Sequence, residues 1–78
     1  MSDFMKTETI EITTPFIKLD SFLKFSGVAE TGGMAKEMIA AGLVRVGGEV
    51  CLMRGKKLYP GDQVCLDNLC LDVKGVET

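Results

Sequence analysis

Seventy-eight residues, 46% of them hydrophobic, suffice for one small globular domain, which at this size buries only about 60% of its unfolded surface. A net charge of −2, no histidine and no apolar run near the roughly 18 residues of a membrane span argue against a signal-bearing, membrane-embedded or histidine-dependent catalytic protein, and make a cytoplasmic binding protein the expectation. Cys51, Cys65 and Cys70 share no CxxC spacing and are expected to be small buried apolar residues, not a disulfide framework or a zinc site.

Residues 1–8 carry little pattern and are expected to form a flexible N-terminus before a single domain at 9–74, with 75–78 as a short tail. Thr9 to Thr13 alternates, with Ile10 and Ile12 on one face of a half-buried strand that Pro15 closes. From Lys18 onward Leu19, Phe22, Leu23 and Phe25 fall at helical spacing, and Ser26-Gly27 offers a left-handed stop. Thr31 predicts the N-cap of a second helix whose buried stripe is Ala35, Met38 and Ile39, with Gly42 ending it. Val44 and Val46 then alternate with Arg45, and Gly47-Gly48 predicts a tight turn into a strand from Glu49 to Leu52. Gly55 interrupts a basic segment, Tyr59-Pro60-Gly61-Asp62 reads as a turn and Gln63 to Leu66 as a strand. Asp67-Asn68 reverses the chain into Leu69, Leu71 and Val73. The fold class is α+β, two short helices packed on a small, mainly antiparallel β-sheet.

Charge is segregated along the chain. Between residues 43 and 58, Arg45, Arg54, Lys56 and Lys57 stand against Glu49 alone, inside a protein whose overall balance is acidic. A charge run is usually a solvated face, but solubility does not require sorting by sign, so these residues are candidates for a track of phosphate contacts. Arginine would supply a planar donor fork and lysine a mobile point charge. The Thr31-Gly32-Gly33 entry to the second helix offers backbone N–H groups and the positive end of a helix dipole to an anion, with Lys36 one turn on; the bland reading is an ordinary capped helix. Lys18, at the start of the first helix, would flank the same groove. Phe4, Phe16, Phe22, Phe25 and Tyr59 are few, and Phe22 reads as core, which argues against a stacking platform for single strands and for recognition of structured RNA by backbone and shape. Met34, Met38 and Met53 suit packing. Without histidine a cysteine or serine nucleophile lacks its commonest partner, and no carboxylate pair has telling spacing, so no enzyme activity, cofactor or metal is expected.

Three stretches carry a resemblance together: KLDSFLK at the first helix, TGGMAKEMIAAGLVRVGGE across the second helix and hairpin, and GKKLYPGD before the next strand. They resemble the RNA-binding domain first described in small-subunit ribosomal protein S4, also called the αL motif, and more closely its small stand-alone bacterial members. The resemblance implies docking of structured ribosomal or transfer RNA through the helix pair and hairpin, with Lys18, Lys36, Arg45, Lys56 and Lys57 near the contact face and ribosome-associated proteins as neighbours. Gly32 stands where many members have arginine, and Gly47 where many have asparagine. The alternative is a protein-interaction adaptor without direct RNA contact, offering a sheet edge or acidic face. A ubiquitin-like sulfur carrier fits poorly, because the glycine pairs are internal and the chain ends Gly75-Val76-Glu77-Thr78.

Overall fold

The computed structural model describes residues 6–76. In chain order they form β1 (Lys6–Ile12), β2 (Ile17–Lys18), α1 (Leu19–Phe25), α2 (Gly32–Ala40), β3 (Arg45–Val46), β4 (Glu49–Val50), β5 (Lys57–Leu58), β6 (Gln63–Leu66) and β7 (Leu69–Gly75). Five strands make one sheet in the order β1-β7-β6-β3-β4, while β2 and β5 form a ladder of their own. Only β1 and β7 run parallel; the remaining pairs are antiparallel, which is the α+β arrangement expected.

The strands alternate as their side chains require. Ile12, Val44, Val64, Leu66, Leu71 and Val73 are buried from the sheet side, and Leu19, Phe22 and Leu23 of α1 with Ala35 and Ile39 of α2 complete the same core. The helices end where their capping residues dictate. Thr31 Oγ1 accepts the Met34 N–H at 3.1 Å, and past α2 the Gly42 and Leu43 N–H groups bond back to the Ile39 and Met38 carbonyls at 3.0 and 3.2 Å. In the β3–β4 hairpin Gly47 and Gly48 take φ of 62° and 90°, a left-handed pair that side chains resist and that a two-residue turn demands.

Four expectations need correction. The first strand begins at Lys6, so Lys6 to Glu8 belong to the sheet, paired from Lys6↔Leu69 to Ile12↔Gly75, although residues 1–5 lie outside the described part. Its polar first half, KTET, hides the alternation; backbone bonding to β7 makes it a strand. At the other end Val76 donates to the Ile12 carbonyl at 3.1 Å, which ties the start of the expected tail to the sheet. Cys65 and Cys70 form a disulfide, because the Asp67-Asn68 turn sets them directly opposite on β6 and β7 with Cα atoms 4.1 Å apart; Cys51 is free and half-buried. Met34 and Met53, expected to pack, are exposed at 41% and 66%: Ala35 and Ile39 already fill the inward arc of α2, and Met53 lies in the irregular stretch between β4 and β5.

Candidate nucleic-acid interface

The smallest ladder organises the charge. Ile17 pairs with Leu58 and Lys18 with Lys57, so the apolar pair turns inward and the two lysines stand side by side at the surface. α1 begins immediately afterwards and has no side-chain cap. Its first N–H groups are met instead by carbonyls of the basic segment: Leu19 donates to Lys56 at 2.8 Å and Asp20 to Arg54 at 3.1 Å. Those two bonds hold the backbone of Arg54 and Lys56 against the start of the helix. Four cationic residues, Lys18, Arg54, Lys56 and Lys57, are thereby gathered at one place, all exposed.

This arrangement runs against local electrostatics. Like charges directly opposite on paired strands repel, and a cation at the N-terminal end of a helix faces the positive end of its dipole. Asp20 in the first turn has the favourable sign, but its Oδ1 accepts the Ser21 N–H at 2.7 Å. Among the described residues the one ion pair is Lys6 with Glu8, at 3.3 Å, so none of the four cations forms a direct ion pair with a described carboxylate. Local rules broken without an internal compensation are what an external anion would relieve.

Beside Lys56 lies a groove walled by Val46, Val50, Cys51 and Met53, with Glu49 and Asp62 also lining it. The groove itself is therefore mixed in sign, and the positive surface follows the ladder. Asp62 is committed locally: its Oδ2 accepts the Tyr59 N–H at 2.8 Å while its own N–H donates to the Tyr59 carbonyl at 2.9 Å.

The other candidates are placed elsewhere. Arg45 on β3 is exposed between buried Val44 and half-buried Val46, so it faces away from the helices, in register with Val50 and Cys65. Gly32, Gly33 and Lys36 are exposed on α2, and a Cβ added at Gly32 would meet nothing within 4 Å. No hydrogen bond or ion pair among the described residues links them to the ladder. Two aromatic residues that the sequence argued against as a stacking platform come together here. Phe16 precedes β2 and Tyr59 follows β5, and their rings lie 5.9 Å apart with the Lys57 Nζ 4.9 Å from the centre of Phe16. The signal was their position flanking Ile17-Lys18 and Lys57-Leu58, legible only once those pairs are known to form a ladder. Among the described residues no helix is long and apolar enough to cross a membrane, and no group of side chains is arranged to hold a metal.

The S4 domain family model matches residues 10–74. The probable ribosome maturation protein RlbA of Bacillus subtilis (strain 168) is 46% identical over 55 residues, which cover 70% of this chain and 78% of that protein. The family match spans both helices, the β3–β4 hairpin and the ladder with its four cations, and the chain belongs to the S4 domain family.

Proposed function

We propose that this chain is a non-enzymatic, cytoplasmic RNA-binding protein that docks structured RNA, with residues 9–74 as the binding unit and Lys18, Arg54, Lys56 and Lys57 on phosphates. The observation that carries the reading is the uncompensated ladder, in which Lys18 faces Lys57 while the carbonyls of Arg54 and Lys56 cap the same helix start. Arg45 and the Gly32-Gly33-Lys36 start of α2 extend the surface to further phosphates. The relative's role in ribosome maturation favours ribosomal RNA over transfer RNA as the target, with ribosome-associated proteins as neighbours.

Phosphate contacts release counterions, so affinity must depend on salt. The four ladder cations alone predict that log affinity for a labelled structured hairpin falls with log salt at a slope of at least roughly −3, steeper with Arg45 and the start of α2. A flat dependence would contradict the reading. The variant Gly32→Arg, whose Cβ would meet nothing within 4 Å, is expected to steepen that slope by about 0.7 to 0.9. An unchanged slope removes the start of α2 from the interface and leaves the ladder and Arg45.

A protein-interaction adaptor remains the second reading, favoured by Leu52 and Met53, which are 63% and 66% exposed beside the ladder. A ribosome-associated protein that stays bound after complete digestion of RNA would support it.

A further inference from the structure

We infer that Tyr59 is a stacking platform for one unpaired RNA base, buttressed by Phe16, with Lys57 held beside it for that nucleotide's phosphate. The inference rests on the RNA-binding reading and adds to it a subsite with a different ligand preference, unpaired over paired nucleotides.

The ladder register puts Phe16 across from Tyr59, one step beyond Ile17↔Leu58, and the rings meet at 5.9 Å with an angle of 43° between them. A tilted pair of this kind is attractive and fixes both rings. Even in that contact Tyr59 is 49% exposed, so much of the ring stays open. Lys57 Nζ, at 4.9 Å from the Phe16 centroid, engages the Phe16 ring. Tyr59 therefore offers the accessible surface, and the ammonium is localised next to it.

The backbone beneath Tyr59 is fixed before any ligand arrives. The reciprocal bonds with Asp62, at 2.8 and 2.9 Å, close the Tyr59-Pro60-Gly61-Asp62 turn, in which Gly61 adopts a φ of 101°. Only glycine takes that angle without strain, and proline before it is already set for the turn. A platform positioned in advance costs little ordering on binding. Every base has a π-face and brings its own phosphate, so an aromatic flanked by Lys57 and Lys18 fits a nucleotide better than a neutral apolar segment. Scarcity of aromatics excludes a track for a long single strand. It does not exclude one base.

The chain reports on this site by itself, since Tyr59 is its single tyrosine and it has no tryptophan. A short labelled RNA hairpin with an unpaired loop, and a fully paired duplex of matching length, would be titrated at low salt. Label anisotropy follows binding, and tyrosine emission, corrected for RNA absorbance, follows the ring. The expected result is quenching by the hairpin alone, with Tyr59→Leu weakening hairpin binding roughly fivefold to a hundredfold, Tyr59→Phe restoring it and duplex affinity little changed. Hairpin binding with unquenched emission and an unaffected Tyr59→Leu variant would overturn the platform and leave the basic ladder standing. If neither RNA raises the anisotropy, the RNA-binding reading and the platform fall together.

Discussion

Combining Lys18→Glu with Lys56→Gln is expected to weaken RNA binding on the order of fiftyfold at about 0.1 M salt without weakening the fold. Each phosphate contact contributes roughly 0.7 to 0.9 of a decade in affinity at that salt through counterion release, so losing two gives this figure before the repulsion of the added carboxylate. The fold responds in the opposite sense. Lys18 is a cation at the N-terminal end of α1, where an anion would be favoured by about 0.3 to 1 kcal/mol. It also faces Lys57, and an opposite-charge pair on such a ladder contributes roughly 0.2 to 1 kcal/mol. A glutamate at position 18 corrects both, while Lys56 takes part in no ion pair among the described residues that glutamine would break. Thermal unfolding followed by circular dichroism should therefore show a midpoint that holds or rises. A midpoint several degrees lower would mean that the lysines serve the fold, and unchanged affinity would remove both from the interface.

Position 18 also shows where sequence reading succeeds and where it stops. α2 was legible because its determinants are local: Thr31 caps it, Ala35 and Ile39 recur at helical spacing, and Gly42 ends it. The turn of the β3–β4 hairpin was legible for the same reason, since Gly47-Gly48 alone specifies it, although β4 ends at Val50 and not at the expected Leu52. Gln63 to Leu66 coincides with β6, whose Val64 and Leu66 alternate cleanly. What could not be read depends on partners distant in the chain. The first half of β1 has no apolar residue to announce it and is a strand because β7 lies alongside. The β2–β5 ladder contributes two residues from each strand, too few for any periodicity. That ladder decides the candidate site. The sequence offered Arg45, Arg54, Lys56 and Lys57 as a run with Lys18 flanking it; the ladder sets Lys18 opposite Lys57, leaves Arg45 apart on β3 and adds Phe16 and Tyr59 beside the cluster. Phe25 belongs to α1 as its helical spacing implies, and it is exposed because the inward arc of α1 is complete without it.

Because the ladder is so short, its attachment to the core should decide whether the cationic surface exists, and Leu58→Ala is expected to cost about 2 to 5 kcal/mol. Leu58 is 0% exposed and is the only buried residue between Val44 and Val64. The β3–β4 hairpin is held by its pairing with β6 and the Tyr59–Asp62 turn by bonds to Val73, so the stretch between them, with the Arg54-Gly55 turn and β5, depends on that one fully buried side chain, helped by the partly buried Cys51. Small domains hold roughly 5 to 15 kcal/mol in total, so the loss is a large share of the whole. Two ladder pairs and the Leu19 and Asp20 bonds to the same segment cannot replace it, since each depends on Leu58 to keep the strand in place. Leu52 is the matched control. At 63% exposure its replacement by alanine should change stability by no more than about 0.5 kcal/mol in urea unfolding. RNA binding should follow the same division: at a urea concentration where Leu52→Ala stays folded and bound, Leu58→Ala should have released its RNA. Equal costs for the two leucines would show that the segment is held from elsewhere, and that the Lys18–Lys57 pairing does not depend on the core beneath it.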